Sequence, residues 1–131
     1  MNKKTLLVAS VFGALAVMLG AWGAHGLKAL VNAEAVASFE AGVRYQMYHA
    51  LFLLGVGVIP VQYLSQKAQK IILYLTFFGV LFFSGSIYFL TTNDLTSFFD
   101  FRKIALITPL GGLLLIGAWV VLFFSILKQK K

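Results

Sequence analysis

Four long apolar runs, joined by segments whose charge alternates, constrain this chain more tightly than any motif in it. Lys3 and Lys4 precede the first run, Lys67 and Lys70 lie between the second and third, and Lys128, Lys130 and Lys131 follow the fourth. None of these segments contains an acid. The other two gaps hold Lys28, Arg44, Arg102 and Lys103 together with all four acids, Glu34, Glu40, Asp94 and Asp100, and are neutral. Basic and neutral gaps in alternation are expected of a chain that crosses a bilayer four times. Basic residues alone set the direction. Seven accompany the termini and the Gln62–Lys70 loop, and four lie opposite. Both termini are therefore expected inside, with the Leu27–Arg44 segment and the Thr91–Lys103 loop outside.

The fold class that follows is all-α: a polytopic membrane protein, a four-transmembrane-helix bundle forming one integral membrane domain over residues 1–131. A spanning helix needs about 20 largely apolar residues, which places spans near 5–26, 44–63, 71–90 and 106–127. Only 11% of the residues are charged, against about 25% in soluble chains, so a soluble fold would lack polar surface to cover its core. The uncharged stretch from Leu6 to Ala24 exceeds the roughly 7–15 apolar residues of a secretory signal, and helix one is expected to stay. The lysines cap apolar runs and form no stripe with interleaved aromatics. They read as attraction to membrane lipids, and no nucleic acid is expected as a partner. Without cysteine, disulfides, thiolate metal sites and thiol nucleophiles are excluded.

Two helix starts need local argument. Asn32 is a good N-cap and Glu34 suits a first turn, so a helical pattern opens there and need not stop before Pro60. Either one long helix emerges from the membrane at its N-terminal end, or a short interfacial helix bends into helix two. For the fourth helix, Thr108 as N-cap with Pro109 at the first helical position is favourable. A start near Arg102 would instead put a kink at Pro109.

Small residues recur every fourth position at Ala16, Gly20 and Ala24, and again at Thr108 and Gly112. Such faces let helix backbones approach closely in lipid, and they read as packing seams. The polar residues of the spans gather toward the outer face. His49 lies about 7 residues, roughly 10 Å, below its outer end. Ser84 and Ser86 lie at comparable depth, Thr108 is shallower and His25 is near the outer end of helix one. On a helical wheel Glu40, Arg44 and Tyr48 share one face, with Glu40 and Arg44 in the favoured ion-pair order. Tyr45 and His49 share another, well over 90° away. The chemical readings are an Glu40–Arg44 ion pair or an anionic headgroup on Arg44, a quinone held by His49 or Tyr45, and a haem ligated by His25 and His49. A histidine in a membrane helix also serves simply to tie helices together.

No catalytic residue is expected. Ser84-Gly85-Ser86 lacks the frame of a nucleophile elbow, no carboxylate pair lies within the spans, and neither a phosphate loop nor a metal cluster is present. No acid sits in a helix centre, which argues against a proton-driven exporter. No resident cofactor or metal is expected beyond the haem alternative.

Four stretches carry a resemblance: Gly20-Ala21-Trp22-Gly23-Ala24-His25-Gly26-Leu27, Phe39 through Gly42-Val43-Arg44-Tyr45-Gln46-Met47-Tyr48-His49-Ala50, Ser84-Gly85-Ser86-Ile87-Tyr88, and Ile107-Thr108-Pro109-Leu110-Gly111-Gly112. Together they resemble the domain-of-unknown-function 423 family, the YwdK- and YgdD-like small membrane proteins of bacteria with an animal transmembrane relative. The resemblance covers nearly the whole chain. It implies four transmembrane helices in a bacterial plasma membrane, no established activity and no catalytic residues. The Thr91–Asp100 loop is more polar than the family's corresponding segment. The expectation is a non-enzymatic protein that packs or assembles through its small-residue faces, as a homo-oligomer or in a larger membrane complex. The alternative is a binder or carrier of a small amphipathic ligand (lipid headgroup, quinone or haem) among His25, Glu40, Arg44, Tyr45, Tyr48, His49, Ser84, Ser86 and Thr108.

Overall fold

A computed structural model describes residues 1–92 and 106–129. The acids Asp94 and Asp100, the basic Arg102 and Lys103, and most of the Thr91–Asp100 loop lie outside these residues.

Helix α1 runs Lys3–His25 and is capped by Asn2, whose side-chain oxygen accepts from the Thr5 N–H at 3.1 Å. A single 3₁₀ turn, Leu27–Ala29, leads to α2, Ala33–Val58. Asn32 caps α2 by accepting from Ala35 N–H at 2.8 Å, and Glu34 occupies its first turn. Of the two sequence readings of this region, the single long helix is the one adopted. Its 26 residues span about 39 Å at 1.5 Å per residue, longer than a hydrocarbon core of about 30 Å, so one end must project. The polar N-terminal turns are the end that can.

Helix α3 occupies Gln66–Thr91. It is α-helical over Gln66–Val80, widens to a π turn at Leu81–Gly85, and resumes as α over Ser86–Thr91. Helix α4, Ile107–Leu127, begins one residue before Thr108. Thr108 is therefore within the first turn and is not the N-cap, a correction to the sequence reading. Pro109 is still tolerated, because the first four helical N–H groups have no intrahelical acceptor and a proline removes one of them without loss.

Helix α1 packs chiefly on α2, α4 chiefly on α3, and the two hairpins meet along α2 and α3. The interior is made by Phe12, Leu53, Val56, Ile72, Leu115 and Ala118. The outside is equally apolar: Leu7, Met18, Leu51, Leu113, Ile116 and Phe123 are each more than half exposed. Soluble monomers rarely expose contiguous patches beyond a few hundred Å², so lipid is the solvent of this surface. Lys3–Ala29, Gln66–Thr91 and Ile107–Leu127 are each long and apolar enough to cross a membrane. Helix α2 completes the four-helix membrane bundle and is the polar one, with Arg44, Gln46 and His49 in its middle.

Candidate functional site

In the half of the bundle away from the termini, the buried polar side chains Gln46, His49, Ser84 and Ser86 are each tied by a hydrogen bond to a neighbouring helix. Gly42, Gln46, His49 and Leu53 form the buried stripe of α2, spaced at helical repeat so that all face inward. Gln46 Nε2 donates to Phe12 O of α1 at 2.9 Å, and its Oε1 accepts from the Tyr88 hydroxyl of α3 at 2.7 Å. One amide thus joins three helices. Ser84 Oγ donates to Gly42 O at 2.7 Å. Ser86 and Thr108 share a hydrogen bond that links α3 to α4, and the Ser86 hydroxyl also reaches Phe83 O at 3.0 Å.

His49 is held in one tautomer. Trp119 Nε1 of α4 approaches His49 Nε2 at 3.1 Å, and His49 Nδ1 lies 2.7 Å from Tyr45 O. An indole N–H only donates, so Nε2 must accept and Nδ1 carries the proton that goes to the carbonyl. Both nitrogens of a neutral imidazole are then used.

The π turn is what lets α3 serve two neighbours at once. It carries Ser84 toward α2 while its backbone receives α4. A methyl group added at Gly111 would lie 2.3 Å from Phe83 N and 2.7 Å from Phe82 C. Only glycine allows that approach. Such π turns are rare, occur mostly as single-turn bulges inside α-helices, and are frequent at functional sites.

The remaining nominated residues are not gathered here. His25 is exposed at the end of α1. Gly13 abuts Ala50, and Gly23 abuts Phe39, a register that puts His25 about 11 residues beyond His49, roughly 16 Å along the bundle. The two imidazoles do not face one another, so no bis-histidine pair for haem iron forms. Glu40, Arg44 and Tyr48 line the exposed face of α2. The Glu40–Arg44 ion pair suggested by spacing is not made among the described residues. An arginine so placed can extend its stem along the helix toward the headgroups. Tyr45 stands between the two faces, edge-on to Tyr48 and to Phe83, with ring centroids 5.5 and 5.1 Å away.

A cleft of about 350 Å³ opens to lipid between α2 and α4, walled by Tyr45, His49, Phe83, Leu115, Ile116 and Trp119. Its lining is almost wholly apolar, and His49 brings no unused nitrogen to it. Among the described residues, Thr5 and Thr76 are the exceptions to full pairing of buried side chains: both hydroxyls are buried without a partner, and neither lines this cleft.

Sequence reasoning passed over Gln46, Tyr88 and Trp119. Gln46 had a signal, since it falls four residues after Gly42 and three before His49 on one stripe. Trp119, an aromatic in an aliphatic run, carried none.

The pattern that defines the family described as a protein of unknown function (DUF423) matches residues 19–112, a segment that contains Gln46, His49, the π turn and Gly111. The chain belongs to this family. A UPF0382 membrane protein of Staphylococcus saprophyticus is 36% identical over 126 residues, covering 96% of this chain and 98% of its own. The UPF0382 membrane protein YwdK of Bacillus subtilis is 33% identical over 96% of this chain and 98% of its own. The UPF0382 inner membrane protein YgdD of Escherichia coli K12 is 30% identical, covering 96% and 91%. No solved structure matches the chain. The family is thus one of uncharacterised membrane proteins, and all four stretches that carry the sequence resemblance lie within the matched residues.

Proposed function

We propose that this chain is a non-enzymatic structural component of a bacterial plasma membrane, with both termini cytoplasmic, that packs as a self-contained bundle and assembles with itself or with a larger complex. One observation carries the reading: the buried polar side chains of the outer half are spent on one another and on backbone carbonyls, leaving none aimed at a substrate. Of the small-residue seams, Ala16, Gly20, Thr108 and Gly112 are used inside the bundle and Ala24 is exposed, so assembly draws mainly on outward faces such as Leu113, Val120 and Phe123 of α4.

The test is native mass spectrometry of protein gently extracted into mild detergent, beside the His49→Ala variant. The expected result is no small-molecule adduct that depends on His49, with His49→Ala lowering thermal stability by about 1 kcal/mol. A reproducible adduct lost in His49→Ala or Arg44→Ala would overturn the reading. The lipid-open cleft beside His49 favours the alternative, a carrier of an amphipathic ligand, and that adduct is its signature. A Soret band in protein from haem-replete cells would revive the haem version. Orientation has its own check: a cysteine placed by Ser65→Cys should resist an impermeant thiol reagent added to intact cells.

A further inference from the structure

The lysines at the terminal face do more than mark a side of the membrane. Lys3 and Lys4 open α1, and Lys70 lies in the second turn of α3. All three line a cavity of about 410 Å³, with Asn2, Gln66 and Gln69 beside them, a volume within the ~300–1,000 Å³ common for ligand sites. Its floor is rigid. Asn2 Nδ2 donates to Gln69 Oε1 at 3.0 Å, and Gln69 Nε2 donates to Ile59 O at 2.9 Å and Leu64 O at 3.0 Å. The Asn2 N–H donates to Gly57 O at 2.7 Å. The amide side chain of Gln69, 2% exposed, therefore joins the N-terminus, the end of α2 and the start of α3. The three ammonium groups above this floor are exposed. The acids among the described residues, Glu34 and Glu40, lie in the opposite half of the bundle on α2.

A second, apolar groove of about 290 Å³ shares Lys4, Leu73 and Tyr74 with the cavity and continues between α1 and α3 past Leu7, Val8 and Phe77. Lys70 Nζ stands over the Tyr74 ring, 6.0 Å from its centroid, where the two spaces join. A cationic pocket at the membrane surface that runs into an apolar channel open to lipid matches one ligand chemistry. Three like charges around one rim repel each other until an anion sits among them, and the groove beyond Lys4 is walled by side chains that suit hydrocarbon, Leu7, Val8, Leu73 and Phe77.

We propose that this composite site holds one anionic phospholipid, its phosphate among Lys3, Lys4 and Lys70 and an acyl chain in the groove between α1 and α3. The proposal is independent of what the outer half does, because no residue is shared between the two.

The experiment uses the full chain in mixed micelles of equimolar phosphatidylglycerol and phosphatidylcholine, read by native mass spectrometry. One phosphatidylglycerol should be retained in preference to phosphatidylcholine. Lys4→Gln with Lys70→Gln should lower that retention by about tenfold or more. Lys67→Gln with Lys128→Gln removes the same charge from the same face outside the cavity, and should leave retention unchanged. Leu7→Trp fills the groove with every lysine intact, and should also reduce retention. Glycerol phosphate, a headgroup without tails, should compete only at far higher concentration. Every substituted side chain is exposed, and helical circular dichroism confirms that each variant folds. Equal retention of the two lipids, equal loss in both lysine pairs, or competition by glycerol phosphate at lipid concentrations would each overturn the site.

Discussion

The two hairpins of this bundle obey the same small-residue rule to different depths. In the α1–α2 seam, glycines meet side chains: Gly13 meets Ala50, Gly20 meets a Val43 methyl, and Gly23 meets the Phe39 ring. In the α3–α4 seam, Gly111 meets backbone, the Phe83 nitrogen and the Phe82 carbonyl carbon of the π turn. A side chain can rotate or lean away from an intruding methyl, whereas the backbone of a helix in lipid cannot move without exposing hydrogen-bonding groups that nothing there would satisfy. The first seam is adjustable and the second is fixed at Gly111, while Gly79, Gly112 and Gly117 of the second seam meet chiefly the side chains of Leu115, Phe83 and Leu75.

That contrast can be broken by substitution. Gly111→Ala should have the largest effect, costing about 3 kcal/mol or more, read as a lower unfolding midpoint in detergent. If it is tolerated, the π turn is not the rigid partner claimed. Gly23→Ala should cost less, about 1–3 kcal/mol: its methyl would lie 2.9 Å from the Phe39 ring, which is confined by Trp22 and Tyr88. An equal cost for the two would erase the distinction between the seams. Tyr88→Phe tests what joins the hairpins. It leaves Gln46 Oε1 without its donor and should cost about 1 kcal/mol, while Gln46→Leu together with Tyr88→Phe should cost little more than Tyr88→Phe alone. Gly55→Ala should be smallest and of opposite sign. Nothing lies within reach of a methyl there, so removing a helix-interior glycine should stabilise by about 0.5 kcal/mol.

The helical architecture was readable because its cause is local. Only helices and closed barrels satisfy every backbone group in lipid, and apolar runs of about 20 residues have the length of a spanning helix, not of a strand. Asn32 announced the start of α2 because an N-cap acts on its own first turn. Thr108 was misleading for the complementary reason. Its hydroxyl looks like a cap by sequence, but a partner on another helix, Ser86, takes it. The nominated residues divide on the same ground. The wheel separated Arg44 from His49, and the structure leaves the first exposed and buries the second. Which groups His49 would meet was not legible, since Trp119 is 70 residues away and spacing carries no information across helices.

Residue order alone dictates four helices, a membrane for solvent and an uneven distribution of charge and polarity along the bilayer normal. These are properties of segments, set by backbone satisfaction and by lysines that remain at one surface. It took the folded bundle to show that the buried polar groups far from the termini pair with one another and with backbone carbonyls, that a π turn admits Gly111, and that Lys3, Lys4 and Lys70 line one cavity. Each of those depends on which faces meet and in what register. In lipid, that register is settled by close packing between surfaces of similar hydrophobicity, a quantity that no single segment contains.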